Sequence, residues 1–234
     1  MRNICTILAR GGSTGLKSKN TKILCGTPLI HYTIRHALDS KLFDKVVVSS
    51  DSDEILNIAS GIKGIELVKR PIEFADNVIS KRPGIKHAVE EVEAKFSCVF
   101  DNIFDLDPTS PLREVEDIHN AFNQFKNNDN DNLITAMPAR RSPSFNMVKV
   151  DENNEVSLVI IPSTPISCRQ RAPVCYDMNA SIYIWKRNVF FSSDSLFLKK
   201  TGLHLMLEER SIDIDSAIDF EFVEFMMSKK NAKK

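Results

Sequence analysis

Ile4-Cys5-Thr6-Ile7-Leu8-Ala9-Arg10-Gly11-Gly12-Ser13-Thr14-Gly15 decides how the rest of this chain is read. Its first half is a short, mostly apolar run, as expected of a strand buried on both faces of a sheet. Its second half is a glycine-rich turn. Ligands of open α/β sheets gather beyond the carboxyl ends of the strands, so a turn placed there is poised for one. Glycines let the backbone approach closely and aim its N–H groups at an anion, and Arg10, Lys17 and Lys19 add cations. The turn is not G-x-x-x-x-G-K-[ST], because Leu16 stands where the glycine before Lys17-Ser18 would be. Nor is it G-x-G-x-x-G, and a plain structural turn stays open on these residues alone.

Outward from this stretch, β-rich runs alternate with amphipathic ones. A helix is expected from Pro28, with Ile30, Ile34, Ala37 and Leu38 on one face. Val46 to Ser50 reads as a strand, followed by a helix through Ala59 capped by Ser52 or Asp53. Ile65 to Val68, Ile103 to Asp107 and Leu133 to Ala136 read as further strands, with helices over Pro83 to Phe96 and Glu114 to Phe125 between them. Such alternation predicts a mostly parallel sheet covered by helices on both faces. After Pro138 the pattern changes. Val148 to Val150 and Val156 to Ile161 suggest a hairpin around Asn153-Asn154, and a Pro-, Arg- and Cys-rich loop leads to a strand from Ser181 to Trp185. Ile212 to Ile214 is expected to be the last strand, before a closing helix with Ala217, Phe220, Val223 and Met227 on one side.

Composition narrows the function. The 31 Lys and Arg residues balance 31 Asp and Glu, so the basic footprint of a nucleic-acid binder is missing and an anion needs a local cluster of donors. No apolar stretch approaches a membrane span, and the brief apolar start does not read as a signal peptide. Five cysteines form no C-x-x-C pair and leave an odd one over, which fits reduced thiols and a cytoplasmic setting. His31, His36, His87, His119 and His204 lack metal-binding spacing and read as surface or packing residues. The run Lys229-Lys230-Asn231-Ala232-Lys233-Lys234 reads as a solvated, frayed end.

Leu8 to Leu16, Lys19-Asn20, Pro28-Leu29-Ile30 and Val47-Val48-Ser49-Ser50-Asp51 closely resemble the cytidylyltransferases that activate sialic acids. The resemblance continues at Arg70-Pro71, Ala75-Asp76, Pro108-Thr109-Ser110-Pro111-Leu112-Arg113, Arg169-Gln170 with Pro173, Asn179 to Tyr183, and Asp213-Ile214-Asp215. Within the family the chain looks most like the bacterial branch that activates legionaminic acid. The resemblance implies a Rossmann-like, three-layer nucleotidyltransferase fold in a single domain, with a dimerisation segment inserted at about 138–178. It implies a reaction of CTP with a nonulosonic acid that gives a CMP-sugar and pyrophosphate, with Mg²⁺ or Mn²⁺, in a homodimer. It places Arg10, Gly11, Gly12, Ser13, Gly15 and Lys19 at the phosphates, and Asn20, Arg70, Asp76 and Ser80 around the nucleotide. Arg10, Lys19 and Asp213 would be catalytic, Asp213 and Asp215 would hold metal, and Asp107, Thr109, Ser110, Arg169, Gln170 and Asn179 would face the sugar.

Two residues apart on an expected strand, Asp213 and Asp215 would point to one face and repel unless they share a cation or proton. Such hard oxygen donors suit Mg²⁺. Helix capping is the alternative, since Ser216-x-x-Asp219 resembles a capping box. The chain also departs from the family. Most sialic-acid enzymes have Gln where Asp107 stands, and Asp177 and Phe145 occupy places that hold cations there. An ionised Asp only accepts hydrogen bonds, so the sugar group beside Asp107 is expected to be a donor, which favours a diamino relative of sialic acid over N-acetylneuraminate. Arg140-Arg141 and Arg169-Gln170-Arg171 lie in the insertion. Arg169 is the candidate partner of the sugar carboxylate, from its own or the partner subunit, against a solvated loop. CMP-N-acetylneuraminate and CMP-pseudaminate synthetases are the near alternatives. A Kdo cytidylyltransferase, a sugar-phosphate pyrophosphorylase and a non-catalytic nucleotide-binding module are the distant ones.

Overall fold

The structure is a computed structural model that describes residues 1–12, 15–74 and 80–231. Its first strand, β1 (Asn3–Leu8), is buried along its whole length because it is paired on both edges. A small hairpin, β2 (Ile23–Leu24) and β3 (Thr27–Pro28), follows the glycine-rich turn. Cys25 and Gly26 form its two-residue loop with positive φ, as a tight hairpin demands. Pro28 then caps α1 (Leu29–Ser40). Next come β4 (Lys45–Ser50), α2 (Asp53–Ser60) and β5 (Glu66–Lys69). Ser52 caps α2 by accepting from the Ile55 N–H, and Asp53 and Glu54 add negative charge where the helix dipole favours it.

The chain then crosses to the other side of β1. α3 (Arg82–Phe96) carries it to β6 (Asn102–Leu106), and α4 (Val115–Asn127) to β7 (Asn132–Pro138). The residues after Pro138 leave the sheet and include the hairpin β8 (Val148–Val150) and β9 (Val156–Leu158). β10 (Tyr176–Lys186) returns antiparallel between β6 and β7, followed by α5 (Arg187–Ser192), β11 (Thr201–Leu205) and α6 (Ala217–Asn231). The sheet has seven strands in the order β11-β7-β10-β6-β1-β4-β5, and only β10 runs against the rest. The expected mostly parallel α/β architecture is therefore observed.

Alternate residues of each strand feed two apolar layers. Cys5, Ile7, Val46, Val48, Phe104 and Ile184 meet α1, α2 and α4 through Ile30, Ile34, Ile55, Ile118 and Phe122. Ile4, Val47, Ile103 and Trp185 meet α3 and α5 through Ile85, Val89, Val92 and Phe190. α6 closes a separate cluster of Leu24, Leu29, Ile214, Phe220 and Val223. This layering puts the reversal of strand order between β1 and β6. The crevice beyond their carboxyl ends is where such sheets bind ligands.

Three expectations need correction. Ile212 to Ile214 is not a strand but an extended segment outside the sheet. The terminal strand is β11, which sequence reading passed over because Gly202 and His204 break its apolar pattern. Gly202 is required there, since a Cβ would collide with the side chain of Asn130. α5 was not expected either; it is too short to show a periodicity.

Candidate active site

The turn after β1 is held by the next strand. Asp51, at the end of β4, accepts the Gly11 N–H at 3.1 Å and lies 3.5 Å from the guanidinium of Arg70. Gly11 was expected to offer its amide to phosphate, but that amide is already used. Arg70 is buried, and its Nε has no partner. Gly84, in the first turn of α3, lets this helix approach closely, because a Cβ there would press on Leu8 and on the Arg70 side chain. Asn20 is buried too, donating to the Arg10 carbonyl at 3.3 Å while its own Oδ1 is unsatisfied. Orphaned donors and acceptors at the mouth of a crevice are what a polar ligand completes. Gly12 lies exposed at the surface, with open space where a Cβ would stand. Ser80 is exposed just before α3. Ser13 and Asp76, with Ala75, lie outside the described residues.

The 212–216 segment packs against this turn. Ile212 and Ile214 face the α6 cluster, which turns Asp213 and Asp215 toward the crevice even though no strand is formed. Gly15 is needed for contact: a Cβ would collide with the Asp215 carbonyl oxygen. Lys19 reaches across to donate to the Ile214 carbonyl at 2.7 Å and to Asp215 Oδ1 at 2.9 Å. The capping role falls to Ser216, whose hydroxyl accepts the Asp219 N–H while Asp219 accepts the Ser216 N–H. Asp215 is thereby left free of capping.

Asp213 is the residue that fits a cation. One of its carboxylate oxygens is buried without a partner, and burial, then Asp107 and Asp215, push its pKa up to about 6. Like charges brought together in a partly desolvated place are relieved by a proton or a metal. Among the described residues no three His, Cys, Asp or Glu side chains converge as a metal site. A divalent cation would rest on the Asp213/Asp215 pair and on substrate oxygens, the arrangement usual for Mg²⁺.

The end of β6 and the loop after it lie beside the 212–216 segment, where the Ile214 N–H donates to the Thr109 carbonyl at 3.0 Å. Asp105 accepts the Thr6 hydroxyl at 2.8 Å, while its other oxygen is buried without a hydrogen bond. Asp107 Oδ1 accepts both the Thr109 N–H at 3.0 Å and the Thr109 hydroxyl at 2.6 Å. Its Oδ2 takes the ammonium of Lys81, which also lies 3.9 Å from Asp105. Burial alone would raise the Asp107 pKa, but Lys81 and the Thr109 bonds hold it down at about 2. Both oxygens of Asp107, expected as an acceptor for the sugar, already accept hydrogen bonds within the protein. The Ser110 hydroxyl is buried and unpartnered in the same loop.

Sequence and fold together decide the family. The cytidylyltransferase family model matches residues 4–220. This chain is a cytidylyltransferase. It is 45% identical over 228 residues to the post-translational flagellin modification protein B of Campylobacter coli, covering 97% of this chain and 96% of that protein. It is 46% identical, with the same coverage, to the CMP-N,N'-diacetyllegionaminic acid synthase of Campylobacter jejuni. The fold matches that of CMP:2-keto-3-deoxy-manno-octonic acid synthetase complexed with CTP, with a TM-score of 0.68, 16% identity, and coverage of 98% of this chain and 100% of that one.

Other motif residues of the cytidylyltransferase serve as scaffold. Arg113 is completely buried and donates to the Ser181 carbonyl at 2.6 Å, the Ser181 hydroxyl at 3.1 Å and the Thr33 hydroxyl at 2.9 Å. It ties α1, the 107–113 loop and β10 together. Asn179, expected at the sugar, spends its whole amide inside the protein. It accepts from Thr135 and Ser181, and donates to Ser211 and to the sulfur of Met206. These bonds shape the register shift in β10 between Met178 and Tyr183, where Ala180 takes a positive φ. Arg169 and Gln170 are exposed on the inserted segment, where Arg169 donates to the Ala139 carbonyl at 3.0 Å. Among the described residues, neither makes a hydrogen bond or ion pair with the Asp107 or Asp213 groups.

Lys81, Asp51, Asp105 and Tyr183 were missed as site residues. Burial, opposed by Lys81 and assisted by Asp105 and Asp107, raises the Tyr183 pKa, which places its hydroxyl among these groups. One of them carried a signal. Asp105 alternates with Asp107 on the expected strand and shares its face, so a cation between the two was predictable. Nothing in the sequence pointed to Lys81 as that cation.

Proposed function

We propose that this cytidylyltransferase joins CTP to a nonulosonic acid, with legionaminic acid or its N,N'-diacetyl form as the sugar. The product is a CMP-sugar and pyrophosphate. The anomeric hydroxyl oxygen bonds to the α-phosphorus, the bond to the β-phosphate oxygen breaks, and the hydroxyl proton is released. Such chemistry asks the protein mainly for in-line positioning and for stabilisation of negative charge. Arg10 and Lys19 would supply positive charge at the triphosphate, and Arg70 and Asn20 would hold the nucleotide. Asp213 and Asp215 would hold Mg²⁺ or Mn²⁺, which supplies charge neutralisation and polarisation of the phosphoryl oxygen when bound. The observation that carries this reading is the buried, unpartnered oxygen of Asp213 beside the Lys19–Asp215 pair and close to Asp107. The Campylobacter jejuni relative supports the choice of sugar.

The inserted segment is read as the contact between two copies of the chain in a homodimer. Val148, Val150, Val156, Ile160 and Ile161 are exposed on it, an apolar surface larger than a lone hairpin keeps in water without cost. No helix among the described residues is long and apolar enough to cross a membrane. The test is pyrophosphate release from CTP and Mg²⁺ with a panel of acidic sugars. Release should be fastest with the legionaminic acids and vanish in Asp213→Asn and on chelation. Silence with every acidic sugar overturns the reading.

A further inference from the structure

We infer that Lys81 is the group that reads the sugar, and that it selects an oxygen acceptor such as an N-acyl carbonyl over the corresponding free amine. This rests on the reading of the crevice as the site of an acidic sugar. Asp107 is poorly placed for the selection, because Thr109 fills one of its oxygens, Lys81 pairs with the other, and its side chain is nearly buried. Its side chain is 11% exposed and that of Asp105 only 1%, whereas the side chain of Lys81 is 43% exposed. The accessible charged side chain at this point is therefore the lysine and not a carboxylate. An ammonium has three N–H donors and no acceptor. The bond to Asp107 uses one of them, which leaves donors for a ligand oxygen.

Lys81 occupies the N-terminal cap position of α3, and the adjoining Arg82 anchors the first turn. The Arg82 guanidinium stacks 4.2 Å from the ring centroid of Phe190 and donates to the carbonyls of Phe190 and Ser193. Asp105 and Asp107 hold the ammonium from below. A cation held this way donates to a carbonyl or hydroxyl oxygen and repels a protonated amine. The carboxylate at position 107 then serves as a holder for the lysine. That inverts the demand expected from its sequence alone, from a donor on the sugar to an acceptor.

Kinetics with paired substrates, an N-acylated acidic sugar and its de-acylated amine, test this in the whole enzyme. Lys81→Met should raise KM for the acylated sugar by about 10–100-fold, as expected for loss of a charge-assisted hydrogen bond, with KM for CTP within about twofold. The preference for the acylated sugar should fall by about tenfold. Asp107→Asn, which keeps the ammonium, should retain most of that preference. Because Lys81→Met alone leaves Asp107 unpaired, the double variant Lys81→Met/Asp107→Asn provides a neutral site, and it should show the same lost preference. An unchanged preference in an active double variant, or a rise in KM for CTP in place of the sugar, overturns the inference alone. A wild-type enzyme that releases no pyrophosphate with any acidic sugar overturns the reading beneath it as well.

Discussion

Gly15 shows how a single missing side chain positions chemistry. The glycine-rich turn reads in sequence as a phosphate cradle, yet the structure assigns Gly11 to Asp51 and Gly15 to the Asp215 backbone. A methyl group at position 15 must displace the segment that carries Asp213 and Asp215. Gly15→Ala should therefore cut kcat by about 10–100-fold, since displacements near 1 Å carry penalties of that size. Tm should change little, as the turn lies outside the core; a variant with normal kcat would show that the segment relaxes freely. At this scale the sequence singled out Lys19 and the Asp213/Asp215 pair, and the structure sets Lys19 against Asp215. The sequence was silent where chemistry depends on who stands opposite. Lys81 is an ordinary lysine until the fold sets it beside Asp105 and Asp107, and Asn179 looks like a ligand group until its partners are counted.

Elements with strong periodicity were read correctly, because burial on one face writes itself into the spacing of apolar residues. β11 and the 212–216 segment were confused because a short edge strand with Gly202 has little apolar pattern. Two isoleucines facing α6, by contrast, mimic a strand. α1 carries a prediction of its own. His36 lies on it, and burial, aided by the positive charges of Arg113 and Lys230, lowers its pKa from 6.5 to about 3. The folded state thus keeps His36 neutral while the unfolded chain takes up a proton. This contribution is fully present above pH 6.5 and is lost as pH falls toward about 3. Urea midpoints for the wild type should imply a loss of about 2 kcal/mol between about pH 7 and about pH 4.5 from this residue. His36→Gln should remove that part of the slope, and an unchanged slope would show that His36 is hydrated.

For the molecule as a whole, the prediction concerns Arg169 on the inserted segment. If the inserted segment pairs two copies and carries Arg169 into the partner's crevice, Lys19→Met and Arg169→Ala enzymes should each be inactive alone. Mixing and re-equilibrating them should restore pyrophosphate release, because one site of the mixed dimer then has both residues intact. Continued inactivity in a verified mixed dimer would place Arg169 in its own subunit's site. The way this segment joins the sheet has a further consequence. It departs after Pro138 and returns at Tyr176, and these two residues are register partners on adjacent strands. Its two feet stand side by side, so the sheet would close equally well over a tight turn. Such a segment should be exchangeable as a cassette. On the proposed pairing of two copies, swapping it between relatives at these feet is expected to transplant a pairing preference while the nucleotide machinery stays in place.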